Sequence, residues 1–124
     1  MSNVRILEDL LGYKIVAVDL EDHIDGDIIT FHREDGKVVK MYHEQCCCEY
    51  VRIEDIDGDL QDLIGTIIEA EEVTKEGEDE YGTMTWTFYK IASENGFVNI
   101  RWYGTSNGYY SESVTVEVFE GEHQ

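Results

Sequence analysis

The chain has 124 residues, enough for one hydrophobic core, and no proline that would stiffen a linker between two domains. Hydrophobic residues make up 42%, which excludes global disorder, and no apolar run reaches the roughly 20 residues a membrane-spanning helix needs. Against 9 basic residues stand 28 acidic ones, a formal net charge of -19 that repels phosphates and anionic membranes and steers toward basic proteins or cations.

The first predicted element is a short helix, because Val4, Leu7, Leu10 and Leu11 recur at helical spacing and Gly12 follows as a stop. Lys14 to Leu20 then reads as a strand, Asp25-Gly26 as a turn, Ile28 to Arg33 as a second strand, Asp35-Gly36 as a turn and Lys37 to Tyr42 as a third strand. An Asp-Gly pair between apolar runs suits a tight hairpin, since glycine accepts positive φ without steric cost. Glu49 to Ile53 predicts a short strand. Asp59 to Gly65 holds an N-capping aspartate, one helical turn and a terminating glycine. Thr66 to Val73 reads as a strand and Lys75 to Glu80 as a charged loop. Three strands close the chain, Thr83 to Ser93, Phe97 to Tyr103 and Tyr109 to Phe119, with turns at Asn95-Gly96 and Asn107-Gly108. The expected fold is a single α+β domain over residues 1–124, mainly antiparallel hairpin meanders with one or two short helices.

Cys46, Cys47 and Cys48 are consecutive, an odd cluster that makes a poor disulfide framework and points to free thiols in a reducing compartment. The N-terminus turns acidic at Glu8 and Asp9 before a signal-peptide core could form, so a cytoplasmic location is expected. His43 with Cys46 and Cys48 offers soft zinc ligands, but the paired two-residue cysteine spacing of a structural site is missing. Adjacent cysteines on a strand face opposite ways, which suits small core residues equally well. The neighbouring Glu44 and Glu49 would raise a thiol pKa and disfavour a Cys-His nucleophile.

Charge is concentrated. Between Glu54 and Glu80 lie 12 acidic residues, Glu54, Asp55, Asp57, Asp59, Asp62, Glu69, Glu71, Glu72, Glu76, Glu78, Asp79 and Glu80, against Lys75 alone. Such a segment is either a solvated charged stretch or a surface that imitates a run of phosphates in a basic groove. Calcium loop spacing fails: counted from Asp55, the sixth residue is Leu60 rather than glycine and the twelfth is Thr66 rather than glutamate. On the last meander, a two-residue Asn95-Gly96 turn sets Tyr89 opposite Trp102 on a core face and Lys90 opposite Arg101 on the other. Trp86, Phe88 and Tyr103 accompany those cations, and Tyr109 and Tyr110 follow in a glycine-containing loop. Opposed cations need an anion between them. Either Glu112 or Glu117 supplies it, or the face holds a nucleotide-like anionic ligand stacked on the aromatics.

Two segments are similar to a known but uncharacterised family. The Tyr42-His43-Glu44-Gln45 run through Cys47-Cys48-Glu49 to Ile53-Glu54-Asp55-Ile56 resembles small acidic proteins of bacteriophages and their bacterial hosts. So does Thr85 to Ile91 followed by Ile100-Arg101-Trp102-Tyr103-Gly104 and Ser106-Asn107-Gly108-Tyr109-Tyr110-Ser111-Glu112. That family often has an acidic residue in place of Cys46, and the resemblance implies no activity, cofactor or catalytic residue. It implies a phage protein that binds and disables a host factor, with defence systems as targets.

The expectation is therefore a non-enzymatic inhibitor or accessory protein without cofactors, binding a basic host protein through a nucleic-acid-mimicking acidic surface. It is expected not to bind nucleic acid or membranes directly, and its hairpin edges leave room for a homo-oligomer. The alternatives are a protein binding nucleotide-like anions through Trp86, Phe88, Lys90, Arg101, Tyr103, Tyr109 and Tyr110, and a metal protein using His43, Cys46 and Cys48.

Overall fold

The structure is a computed structural model that describes residues 2–23, 26–44, 49–80, 82–106 and 112–120. Its strands are β1 (Ser2–Ile6), β2 (Lys14–His23), β3 (Gly26–Arg33), β4 (Val38–Tyr42), β5 (Tyr50–Asp57), β6 (Gly65–Asp79), β7 (Gly82–Ser93), β8 (Gly96–Ser106) and β9 (Thr115–Phe119), with one 3-10 turn at Leu60–Leu63. All pairings are antiparallel, in the order β5-β8-β7-β6-β2-β3-β4-β9, and β1 joins the side of β6. The fold is all-β, which corrects the α+β expectation. No helix among the described residues is long and apolar enough to cross a membrane.

The expected N-terminal helix fails for a specific reason. Ser2–Ile6 pairs with β6 from Ser2↔Lys75 to Ile6↔Glu71, so a neighbouring strand satisfies its backbone. Only one turn follows, in which Leu10 and Leu11 N–H groups donate to the Leu7 carbonyl at 3.1 and 3.0 Å before Gly12 at φ +87°. Leu7 and Leu10 are buried while Val4 and Leu11 are exposed, so the helical spacing came from a strand running into a turn. A segment that short carries too few hydrogen bonds to repay helix nucleation.

Residues 75–80, expected as a charged loop, instead continue β6 to Asp79, because β7 pairs with that stretch from Lys75↔Trp86 to Asp79↔Gly82. The predicted helical turn is present, with Asp59 accepting from the Gln61 N–H at 2.9 Å. The predicted Asn107-Gly108 turn, and Asp25 of the Asp25-Gly26 turn, lie outside the described residues.

The two halves of the sheet share one core. Ile15, Phe31, Val39 and Met41 from β2–β4 meet Ile67, Ile91, Ile100 and Trp102 from β6–β8 in a single buried cluster. The sheet curls far enough that β5, at one end of the order, reaches β3: the Ile53 N–H donates to Asp27 at 2.9 Å, and Arg52 sits 3.6 Å from the same carboxylate. The β1-β6-β7-β8-β5 half therefore has an inner face on the core and an outer face in solvent.

Candidate functional site

Strand alternation decides what the outer face carries. The β7–β8 hairpin closes at Ser93↔Gly96, so its turn is Glu94-Asn95, two positions from the expected register. The Asn95 side chain fixes it by donating to the Ile64 carbonyl at 2.6 Å. A shift of two leaves every side chain on its expected face. Tyr89, Ile91, Val98, Ile100 and Trp102 are buried as expected. The cations move, however: Lys90 opposes Asn99, and Arg101 opposes Phe88.

Reading across the strands, one row is Val4, Val73, Phe88, Arg101 and Asp55. The next is Lys75, Trp86, Tyr103 and Arg52, and on the other side lies Ile6, Glu71, Lys90, Asn99 and Asp57. Trp86 and Tyr103 pack at 5.2 Å between ring centroids, tilted by 43°, a favourable aromatic geometry. Val4 is 65% exposed, Ile6 46% and Phe88 37%, so the face carries reachable apolar side chains both at its β1 edge and at its centre. Carboxylates flank it along β5 and at the Glu69–Glu71 end of β6. Arg101 Nε donates to Glu54 at 2.6 Å, and Lys90 Nζ lies 3.6 Å from Glu69. These partners replace the expected ones, since Glu112 is engaged elsewhere and Glu117 accepts from the Tyr42 hydroxyl at 3.1 Å. Lys75 is exposed and carries no ion pair among the described residues. It edges a hollow of about 270 Å³ walled by Glu54, Trp86, Phe88 and Arg101.

The acidic segment does not form one surface. Glu54, Asp55, Asp57, Glu69 and Glu71 belong to the outer face, whereas Asp59 caps the 3-10 turn and Asp62 lies within it. Glu72 points inward and is buried. It accepts from the Tyr89 hydroxyl at 2.5 Å and from Arg5 at 3.1 Å, so as folded it is no contact residue. Burial first, then the Glu72 carboxylate, pushes the Tyr89 phenol well above its usual range. Glu76 and Glu78 share the inner row and line a cleft of about 610 Å³ with Thr83, Thr85 and Glu112. There Glu112 accepts from Thr83 at 2.5 Å, Thr85 at 2.8 Å and Ser106 at 2.6 Å. Glu80 is exposed just past the end of β6, and the backbone of Asp79 pairs with Gly82.

His43 is buried. Its Nδ1 donates to the Ser113 carbonyl at 2.7 Å, and its Nε2 stands 3.8 Å from Glu49. Cys46, Cys48, Tyr109 and Tyr110 lie outside the described residues. Among the described residues no three His, Cys, Asp or Glu side chains are grouped to hold a metal.

Sequence reasoning missed Val4, Ile6, Val73, Lys75 and Arg52 as members of the outer face. The signal was present in β6, where Val73 and Lys75 alternate with Glu72 and Glu76 in period two. Reading residues 75–80 as a loop hid it.

No curated protein and no solved structure matches the chain. Residues 8–116 match the sequence model described as Domain of unknown function (DUF7448), and the chain belongs to that family.

Proposed function

We propose that the chain is a non-catalytic binding protein whose partner is a basic protein docked on the outer face of the β1-β6-β7-β8-β5 half. One observation carries this reading: exposed Phe88 and the Trp86–Tyr103 pair share a face with Glu54, Asp55, Asp57, Glu69 and Glu71. An aromatic centre with a charged rim is the usual anatomy of a protein interface, and aromatic anchors dominate its energetics. A lysine or arginine of the partner fits twice over, stacking on an aromatic ring and pairing with a carboxylate of the rim. The net charge of -19 adds long-range attraction for such a partner. In the phage setting that the sequence resemblance implies, the partner is a basic host factor in the host cytoplasm, such as a defence nuclease. Mimicry of nucleic acid then rests on the outer carboxylates and on Asp59 and Asp62, not on all 12 residues of the acidic segment.

Capture from host lysate at rising salt tests the proposal. The expected partner is basic, its recovery falls as salt screens the rim, and Trp86→Ala sharply reduces it. Partners that are not basic, or capture indifferent to both salt and Trp86→Ala, contradict it.

The hollow beside Lys75, which has no ion pair among the described residues, favours a second reading, a small anion stacked on Trp86 and held by Lys75 and Arg101. Native mass spectrometry of freshly purified protein and thermal stability across a nucleotide panel test it. A co-purifying nucleotide supports this reading, and unchanged mass and stability dispose of it.

A further inference from the structure

We infer that the free edge of β1 takes an extended, cationic segment of the partner as an added strand. This deepens the basic-partner reading and rests on it.

Hydrogen-bond parity fixes which backbone groups of β1 face away from β6. Leu7 N–H donates to the Ala70 carbonyl at 3.0 Å, in line with the register that pairs Arg5 with Glu72 and Val4 with Val73. In an antiparallel ladder, hydrogen-bonded and non-hydrogen-bonded pairs alternate. Arg5 therefore bonds toward β6, while the N–H and C=O groups of Val4 and Ile6 point away from it. Those groups pair with no other backbone among the described residues. The opposite end of the sheet is treated differently, since on β5 the Ile53 N–H is covered by the Asp27 carboxylate at 2.9 Å. Proteins usually blunt an edge in such a way, and among the described residues no such cover lies over Val4 or Ile6 of β1.

Space and chemistry fit an added strand. A slot of about 460 Å³ runs along this edge, between residues Val4 to Asp9 and Val116 of β9. Val4 and Ile6 project onto the outer face, so an added strand would continue the apolar row of Val73 and Phe88. Exposed Glu8 and Asp9 wall the slot, whereas Arg5 is already paired with Glu72 at 3.1 Å. This favours lysine and arginine on the incoming strand. A second copy of the chain is disfavoured, because each copy brings a formal charge of -19. Strand addition of this kind draws affinity from main-chain bonds and specificity from alternate side chains.

The probe is an octapeptide alternating lysine with valine and threonine, with a counterpart N-methylated at alternate amides so that one edge cannot pair. Binding is read by fluorescence anisotropy at low salt, and amide hydrogen exchange is followed at Val4 and Ile6. Expected are about tenfold weaker binding of the methylated probe, about tenfold weaker binding to Val4→Pro, and slowed exchange at both amides. Val4→Pro removes an edge N–H that takes no part in the β1–β6 ladder; should that variant unfold, the methylated probe still decides on the unaltered protein. No binding of the octapeptide, equal binding of both probes, or unchanged exchange at Val4 and Ile6 overturns the inference. If those results coincide with loss of basic-partner capture by Trp86→Ala, the edge inference alone fails. If the protein captures no basic partner at all, both readings fall.

Discussion

Replacing Tyr89 by phenylalanine removes one oxygen from the inner side of the sheet and leaves the ring in place. In the native protein that hydroxyl donates to Glu72 at 2.5 Å, with Tyr89 only 1% exposed and Glu72 9%. A hydrogen bond to a charged group contributes about 1.5–3 kcal/mol, and the buried acceptor here has one other partner, Arg5 at 3.1 Å. Arg5 is itself more than half exposed, so water reaches the carboxylate from that side and about 2 kcal/mol is the reasonable figure. With an unfolding entropy of about 2.1 cal/mol/K per residue, this lowers Tm by about 8 °C for a chain this long. Circular dichroism melts at neutral pH give the comparison. The pH dependence has a definite sign. Because the folded phenol pKa is raised above its ordinary value, the stabilisation is complete below about pH 10 and declines as pH rises beyond it. The advantage of wild type over Tyr89→Phe should therefore shrink above about pH 10. A Tm change under about 2 °C, or an advantage that grows with alkalinity, would refute the reasoning. Partner binding should be unaffected, since Tyr89 and Glu72 face the core.

Other consequences are independent of that pair. Gly104→Ala should destabilise by about 1–3 kcal/mol in urea unfolding, because an added Cβ would lie 2.8 Å from Val51 Cγ2 and 3.2 Å from the Glu112 carbonyl oxygen. Trp86→Ala, on the exposed side, should leave Tm within a few degrees while weakening the basic partner by about thirtyfold, the effect of an interface hot spot. Glu112→Gln should cost about 1–2 kcal/mol by chemical denaturation, since three hydroxyl donors converge on a carboxylate that the amide replaces only in part.

Much of the fold was legible because hairpins announce themselves locally. Thr83 to Ser93 and Phe97 to Tyr103 follow from β-branched and aromatic runs, and their inner and outer faces were right despite a register error of two. The expected third strand, Tyr109 to Phe119, was not right: among the described residues only Thr115–Phe119 is strand, and it pairs with β4 while β5 takes the place beside β8. Turn geometry escaped the sequence because Asn95 is held by Ile64, a contact 31 residues away. The same holds for the N-terminus, where pairing with β6 overrides the helical spacing of Val4, Leu7, Leu10 and Leu11. Charge misled in residues 75–80, which look like a loop until β7 supplies their partners. The acidic segment was recognisable as a composition, but only the strand period separates Glu69 and Glu71 outside from Glu72 within. The aromatic cluster of Trp86, Phe88 and Tyr103 was found from sequence. Its ion-pair partners Glu54 and Glu69 were not, because both depend on strand order.

The most direct test of the central claim is the affinity of the captured basic partner measured against salt concentration. Wild type is compared with Trp86→Ala and with a triple variant, Glu54→Gln, Asp55→Asn and Asp57→Asn. Affinity should fall steeply with salt for wild type and less steeply for the triple variant. Trp86→Ala should bind weakly with the wild-type slope, since it removes contact area and no charge. An identical salt dependence for wild type and the triple variant, with Trp86→Ala binding normally, would contradict a partner docked on this face.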